Sequence, residues 1–259
     1  FVTSLVTYEE KDYIGVMTLN RQEAANAMSL QLLDDLNNVV HQINQSDVRC
    51  VIITGSGEKA FCAGADLKER RNMTKDEVVQ TVKYIGETVQ NVENIQVPVI
   101  AALNGVAFGG GLELALACDL RIAAEHIKLG LTETSLAIIP GAGGTQRLPR
   151  LIGIGQAKRL IYTASAIDTK EALQIGLIEE VVHKEDLLPT SFSIAKRIAQ
   201  NGPIAMKQAK RAINLGMEVD LHTALDIEHL SYLQTIETED RLEGLQAFAE
   251  KRAPQYKGK

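Results

Sequence analysis

The sequence predicts an α/β body followed by a helical C-terminal region. Up to about residue 185, short apolar runs typical of buried strands alternate with amphipathic helical segments, and beyond that point the strand pattern ends. Such alternation predicts right-handed crossovers around a mostly parallel sheet. With 259 residues, of which 45% are apolar and 23% charged, the chain has the length and composition of a globular protein with a full core. We place the core at residues 1–195 and the helical region at 196–259.

The elements of the body are predicted in chain order from their periodicity. A β-rich run at 13–19 precedes a helix over 29–43, for which Ser29 is a suitable N-cap. The other predicted elements are a strand at 50–54, a helix over 74–92, a strand at 97–103, a helix from 110 to 118, and strands at 120–124 and 177–182.

The helical region is predicted to contain four amphipathic helices. They cover residues 186–199, 203–215, 221–234 and 240–251. Helices with apolar faces need a surface to cover. Here that surface is either the body of the same chain or a neighbouring subunit, so self-association is one of two predicted arrangements.

Composition argues against several classes of protein. Lys and Arg number 27 and Asp and Glu number 33, so the formal charge is −6, and Trp is absent; a polyanion-binding protein is therefore a poor match. The three cysteines are far apart and form no CxxC, which indicates reduced thiols.

Residues 97–118 carry one charge, but Pro98 and a glycine triplet predict a buried strand, turn and helix rather than a membrane span. No signal peptide is visible, so we expect a cytoplasmic protein, with the mitochondrial matrix as the alternative for a chain whose targeting segment has been removed.

Three glycine-containing turns are the candidates for chemistry. They lie at residues 61–68, 104–113 and 132–144. Small residues let a ligand approach the backbone, and free N–H groups at the start of a helix favour an oxygen that becomes negative. Each turn also has a purely structural interpretation. The sequence contains no phosphate loop, no nucleophile elbow, no complete dinucleotide fingerprint and no metal-binding spacing of histidines.

Glu113 distinguishes the second of these turns. It lies in the apolar run 112–118, where a carboxylate is costly unless it has a partner or a task. Its structural interpretation is to complement the dipole at the start of a helix. Glu133, which follows Thr132 in the third turn, has the same two interpretations.

Together, the segments 61–68, 104–119 and 133–147 resemble the signature blocks of the enoyl-CoA hydratase/isomerase family, the crotonase superfamily. The segments FCAGADLKER at 61–70 and DRLEGL at 240–245 are most similar to its methylglutaconyl-CoA hydratase branch. The resemblance implies an α/β fold made of a spiral of ββα units, with a C-terminal helical trimerisation region. It also implies an acyl-CoA substrate and assembly as a homotrimer or a dimer of trimers.

The resemblance assigns roles by position. Glu113 and Glu133 match the paired catalytic carboxylates, and the backbone N–H groups of Ala65 and Gly110 match the two donors that hold the thioester oxygen. The residues that match the substrate-binding set, including the loop that clasps coenzyme A, are Ala63, Ala65, Asp66, Leu67, Lys68 and Gly110. No metal or redox cofactor is implied, because coenzyme A is part of the substrate.

The implied reaction is the addition of water across the 2,3 double bond of an enoyl-CoA thioester. Two N–H donors stabilise the enolate, one carboxylate takes a proton from water, and a carboxylic acid gives a proton to C2. The resemblance suggests Glu113 for the first task and Glu133 for the second, and the division within the pair stays open. The loop 21–27 offers only Arg21 to the phosphates of coenzyme A. The other candidates for these phosphate contacts are Lys68, Arg70 and Arg71, or a neighbour's Lys251 and Lys257.

Three other functions compete with hydration. An isomerase or another acyl-CoA enzyme of the superfamily would use the same donors, but many of the isomerases keep only one matching acid. The animal member of the branch is also described as an AU-rich-RNA-binding protein. Here the corresponding stretch 24–49 carries three Asp residues and a single Arg, a charge that repels phosphate, so no specific nucleic-acid partner is expected. The third is a scaffold that has the fold without the activity.

Overall fold

The architecture consists of two sheets surrounded by helices. The structure, a computed structural model, describes residues 4–259. The strands of these residues are β1 (Val6–Lys11), β2 (Ile14–Leu19), β3 (Cys50–Gly55), β4 (Ala60–Cys62), β5 (Val99–Leu103), β6 (Val106–Phe108), β7 (Leu120–Ala124), β8 (Lys128–Gly130), β9 (Ile167–Asp168) and β10 (Glu180–Val182).

The helices account for much of the remaining chain. Those of the body are α1 (Leu30–Gln45), α2 (Leu67–Arg70), α3 (Lys75–Glu93), α4 (Gly110–Leu116), α5 (Gly144–Ile152), α6 (Ile154–Thr163) and α7 (Thr169–Gln174). They are followed by α8 (Leu187–Ala199), α9 (Pro203–Gly216), α10 (Leu221–Ile236) and α11 (Glu239–Glu250).

The chain winds as a spiral in which successive turns add one strand to each sheet. The larger sheet has the order β1-β2-β3-β5-β7-β10 and the smaller one β4-β6-β8-β9. From β2 onward all neighbours in the larger sheet are parallel, because helical connections return the chain to the same end of the sheet. The turns β3–β4, β5–β6 and β7–β8 each end in a helix. The predicted α/β body is therefore confirmed.

Local sequence explains the starts of the two long helices of the body, α1 and α3. Ser29 caps α1 by accepting a hydrogen bond from the Leu32 N–H, as predicted. Thr74 and Glu77 form a capping box at the start of α3. Both helices bury one apolar face, and β3 between them is buried along its whole length.

The strand predicted at 177–182 is too long. The structure begins β10 at Glu180, and Leu177 and Ile178 are buried in the turn before it. The Leu177 N–H donates to the Ala172 carbonyl, and the Leu177 carbonyl accepts from the Arg121 guanidinium. The backbone of Leu177 is therefore bonded within a turn and to a side chain rather than to a neighbouring strand. Apolar character reports burial here, not strand geometry.

The helical C-terminal region is confirmed, with all four helices close to their predicted bounds. Helix α8 packs across β3, β5 and β7, whereas α9 and α10 pack mainly on each other. The division at residue 195 stays a prediction, and it lies within the last turn of α8. Many large apolar side chains on the last three helices, and Met217 directly after α9, are exposed: Ile213, Leu215, Met217, Leu221, Leu225, Leu230, Tyr232, Leu233, Leu242, Leu245 and Phe248.

Two expectations from composition can be compared with the structure. Cys50, Cys62 and Cys118 are free and buried, as predicted. The segment 97–118 forms β5, β6 and α4 in the interior. Among residues 4–259, none of the helices combines the length and the apolar character that a bilayer crossing requires.

Candidate active site

The three glycine-containing turns meet at one cavity of about 230 Å³. Its floor is formed by the ends of β4 and β6, where the chain leaves the smaller sheet for α2 and α4. The wall contributed by α3 and by the segment after Glu133 is apolar, and its side chains are Val78, Val82, Ile85, Leu136, Ile138 and Ile139. Glu113 and Glu133 both line this cavity, together with Ala65 and Gly110.

The loop that carries Ala65 is fixed by its main chain. Gly64 has a φ of +96°, a conformation that L side chains rarely adopt. Its carbonyl accepts from the Met28 N–H over 2.8 Å, and the Asp66 N–H donates to the Met28 carbonyl over 3.1 Å. These two bonds dock the loop on the segment before α1 and leave the Ala65 N–H between them.

Gly110 begins α4, and its glycine neighbours are required by close contacts. Gly109 has a φ of +50°, and a Cβ at Gly111 would lie 2.0 Å from the Cys62 carbonyl oxygen. A Cβ at Gly110 would lie 3.7 Å from the Ala65 nitrogen, so the two backbone amides are close neighbours. Within residues 4–259, neither of these N–H groups has a hydrogen-bond acceptor. They are therefore free to bind one oxygen atom of a ligand.

Glu113 is 2% exposed, and the loop before α5 holds its carboxylate. Its Oε1 accepts the Ala142 N–H over 2.8 Å and the Gly144 N–H over 2.7 Å. Burial raises the pKa of Glu113 above its ordinary value, and the bonds from Gly144 and Ala142 oppose that rise. Both donors bind the same oxygen, which favours the ionised form and fixes the position of that oxygen.

Glu133 has a different environment. It begins the short 3₁₀ turn Glu133–Leu136 after β8, and its Oε1 lies 3.0 Å from the position of a Cβ at Gly109. Its Oε2 is buried and has no hydrogen-bond partner among residues 4–259. Burial raises the pKa of Glu133 to about 7, its own backbone N–H lowers it, and the charge of Glu113 raises it further.

The two carboxyl groups are thus suited to different tasks. Both carboxyl groups are desolvated, but Glu113 receives two N–H donors that stabilise its anion, whereas Glu133 Oε2 has no partner among residues 4–259 and faces the charge of Glu113. A carboxyl with a pKa of about 7 is partly protonated at neutral pH and can serve as an acid. The environment supports Glu113 as the base and Glu133 as the acid, a division that the sequence left open.

The structure brings most of the predicted site residues together. Ala63, Ala65, Leu67 and Gly110 line the cavity with the two glutamates. Asp66 and Lys68 do not line it. The Asp66 carboxylate caps α2 through the Lys68 and Glu69 N–H groups and pairs with Arg21 at 2.7 Å. Because Arg21 is held in this pair, the one basic side chain of its loop already has a partner inside the protein.

Sequence reasoning missed the donors to Glu113 and the wall of the cavity. Ala142 and Gly144 lie in the third glycine-containing turn, but they bind Glu113 through backbone N–H groups, which every residue except proline has, so residue type does not reveal the contact. The sequence predicted an amphipathic helix that contains Val78 and Val82, but it did not indicate what the apolar face of this helix contacts. Arg70 also lines the cavity, where its Nε is buried without a partner among residues 4–259. A search of that same range finds no cluster of three His, Cys, Asp or Glu side chains that could hold a metal ion.

Comparison with known proteins gives the same assignment over nearly the whole chain. The family model for enoyl-CoA hydratase/isomerase matches residues 9–259. YngF of Bacillus subtilis is 56% identical over 256 residues, which cover 98% of both chains. Mouse mitochondrial methylglutaconyl-CoA hydratase is 50% identical over 255 residues, 96% of this chain and 81% of that protein.

A solved structure agrees with these relatives. The crystal structure of an enoyl-CoA hydratase from Bacillus anthracis superposes with a TM-score of 0.97 at 55% identity, and the match covers 98% of this chain and 100% of that one. The ββα spiral and the family that the motifs resembled are both confirmed by these matches. The chain is an enzyme of the enoyl-CoA hydratase/isomerase family and belongs to the crotonase superfamily.

Proposed function

We propose that this enzyme adds water across the 2,3 double bond of an enoyl-CoA thioester. The observation that carries the proposal is the convergence of two carboxyl groups and two unpaired backbone N–H groups on one cavity. Addition of a nucleophile at C3 moves negative charge onto the thioester oxygen. The N–H groups of Ala65 and Gly110 bind that oxygen, and the loss of one such donor typically costs about 2.7–4 kcal/mol.

The two carboxyl groups handle the water and the proton. Glu113 takes a proton from the attacking water, while its Oε1 stays fixed by Ala142 and Gly144. Glu133 gives its proton to C2, as its pKa of about 7 allows. The reaction draws on amides and side chains of the protein, and coenzyme A enters as part of the substrate.

The test is a hydration assay with crotonyl-CoA, followed by the loss of absorbance of the conjugated thioester. Glu113→Gln and Glu133→Gln should each lower kcat by a factor of about 10²–10⁴ while the fold is retained. A substrate whose double bond shifts without gain of water would support an isomerase instead. Full hydration activity in both variants would reject the roles of the two glutamates, and a wild-type enzyme that hydrates neither crotonyl-CoA nor another enoyl-CoA would end the proposal.

A second candidate substrate class is favoured by Arg70. Its side chain forms no salt bridge within residues 4–259, and its Nε is buried beside the apolar wall of the cavity. A buried guanidinium N–H without an acceptor is costly, and a carboxylate is its natural partner. An acyl group with a distal carboxylate would supply one, as in the substrate named for the mouse relative, methylglutaconyl-CoA hydratase.

Arg70→Met distinguishes the two substrate classes. With 3-methylglutaconyl-CoA we expect kcat/KM to fall about 10- to 100-fold, since a charged pair is lost, and with crotonyl-CoA we expect little change. Equal losses with both substrates would instead place Arg70 on coenzyme A, which they share. Lys75→Met, at an exposed position at the start of α3, is the control for a change of charge near the cavity.

We also propose that the enzyme assembles as a homotrimer or a dimer of trimers. The exposed apolar side chains of the last three helices support this, since a monomer would leave them in water. Phe248 is 87% exposed, and Phe248→Glu should lower the mass measured by sedimentation. Val79→Glu, at a residue that is 68% exposed on α3, is the control. A wild-type chain that sediments as a monomer would contradict the proposal.

The cellular compartment and the absence of a nucleic-acid partner remain predictions from the sequence. Among the relatives, YngF is bacterial and the mouse protein is mitochondrial, so both predicted compartments are represented.

A further inference from the structure

The loop that holds Glu113 is itself held by an arginine on its other side. Arg147, in the first turns of α5, donates from Nε and Nη2 to the two carboxylate oxygens of Glu93 over 2.9 and 2.7 Å. Nη2 also donates to the Gln90 side chain over 2.9 Å. The guanidinium is largely buried, with 15% of the side chain exposed. Glu93 and Gln90 lie in the last turn of α3, so this cluster joins α3 to α5.

The remaining arm of the guanidinium reaches the loop. Nη1 of Arg147 donates to the Ala142 carbonyl over 2.9 Å, while the Ala142 N–H donates to Glu113 over 2.8 Å. Between the two donors to Glu113 lies Gly143, whose φ is +102°, and a Cβ there would lie 2.0 Å from Arg147 Nη1. The main chain at 142–144 is therefore enclosed between a guanidinium and a carboxylate, and it contacts both.

We infer that Arg147, oriented by Glu93, is a positioning residue that sets the angle at which the 142–144 loop presents Glu113 to water. The inference rests on the proposed hydration and on the role of Glu113 in it. Glu93 fixes the orientation of the Arg147 guanidinium, and the guanidinium holds the Ala142 carbonyl in place. The N–H groups of Ala142 and Gly144 in turn hold Glu113 Oε1. The amides of Ala65 and Gly110 take no part in this chain of contacts.

Electrostatics support the same role. The bond to Arg147 lowers the pKa of Glu93 although burial opposes it, so the pair is ionised at neutral pH. The positive charge of Arg147 also lowers the pKa of Glu113, after the larger effects of burial and of the loop amides. Arginine suits this place because its planar fork binds Glu93 with two groups and leaves a third for Ala142, which a lysine cannot do.

The test separates the two carboxyl tasks. Hydration of crotonyl-CoA needs Glu113, whereas exchange of the C2 protons of saturated butyryl-CoA with D₂O needs only the amide donors and Glu133. In that exchange the Glu133 carboxylate removes a C2 proton, the enolate oxygen rests on the two amides, and a deuteron returns from the same carboxyl. Arg147→Lys and Glu93→Gln are measured in both assays, with melting temperatures recorded for each. Arg150→Lys, on the exposed face of the same helix, is the matched control.

We expect Arg147→Lys and Glu93→Gln to lower kcat for hydration about 10- to 100-fold, with KM and the exchange rate within about threefold of wild type. Unchanged hydration in both variants would overturn the inference, and so would equal losses in hydration and exchange, because those indicate general damage to the fold. Glu113→Gln is the reference and should show the same split in a stronger form. If Glu113→Gln keeps its hydration activity, the proposed role of Glu113 fails and the inference fails with it; if Glu113→Gln loses hydration while Arg147→Lys and Glu93→Gln keep it, only the role of Arg147 is rejected.

Discussion

The Gly144 N–H donates to Glu113 Oε1 over 2.7 Å, and a Cβ at Gly144 would lie 3.0 Å from that same oxygen. One residue therefore binds the carboxylate, and only a glycine at this position leaves room for it. The position of the carboxylate is thus fixed by the backbone of a loop 31 residues further along the chain. Helix α4 fixes only the position of the Glu113 main chain.

Gly144→Ala should reduce hydration more than it reduces stability. The added methyl group must displace Glu113 or the Leu131 side chain, whose Cδ1 would be 2.8 Å away. A shift of the carboxylate by a few tenths of an ångström to one ångström lowers kcat by about 10- to 100-fold. Steady-state kinetics with crotonyl-CoA measure the effect, and Gly155→Ala, which has open space around it, is the control. Equal kcat values for the two variants would contradict this account.

The rate of hydration should fall as the pH rises through about 7. Glu133 must be protonated to deliver a proton to C2, and burial raises its pKa to about 7. Glu113 must be ionised, so its raised pKa gives an opposing limb at lower pH and a bell-shaped profile. The measurement is kcat at saturating substrate between about pH 5 and 9. A profile that is flat from neutral to alkaline pH would remove Glu133 from the role of acid.

Glu133 also makes the stability of the fold depend on pH. The pKa of Glu133 is 4.5 in the unfolded chain and about 7 in the folded protein. Between pH 4.5 and about pH 7 the folded chain therefore binds more protons than the unfolded chain. The stability from this group is therefore greatest below pH 4.5 and is lost as the pH rises through about 7. Glu133→Gln removes the ionisation, so its melting temperature relative to wild type should be higher at pH 8 than at pH 5. A difference that is equal at both pH values would show that the carboxyl is not desolvated.

Gly111→Ala should destabilise the fold directly. A Cβ at this position would lie 2.0 Å from the Cys62 carbonyl oxygen and 2.7 Å from its carbon, which are backbone atoms of β4 and cannot rotate away. Separating β4 from α4 costs about 1–3 kcal/mol or more, as in other overpacked sites. Urea unfolding measures the loss, again against Gly155→Ala. A variant as stable as wild type would mean that the two elements separate easily.

The long elements could be predicted from the sequence because each carries its own local signal. Ser29 and Thr74 cap their helices through side chains that can be recognised in a sequence, and β3 is a buried apolar run between them. The strands of the smaller sheet, such as β4 and β6, could not be predicted, since three residues are too few to show an alternating pattern. Helix α5 contains Pro149 and begins at two glycines, which read as a loop.

The site could be predicted only in part. The two glutamates and the amides of Ala65 and Gly110 were named through the family resemblance, and the structure places them on one cavity. The supporting contacts were not predicted, because Ala142 acts through its main chain and Arg147 acts through a carbonyl. Periodicity assigns a side chain to a face of its own element, but it says nothing of which distant element that face meets.

The three buried thiols have a consequence for how the enzyme withstands oxidation. Burial raises the pKa of Cys50, Cys62 and Cys118 to about 12, and the thiolate is the form that peroxides and alkylating reagents attack. In the native state little thiolate is therefore present, and burial keeps reagents away from it. This holds even for Cys62, which borders the helix that contains Gly110. The proposed catalysis by carboxyl groups and backbone N–H groups would not depend on the redox state of its surroundings, and modification of these sulfurs would report unfolding rather than injury to the site.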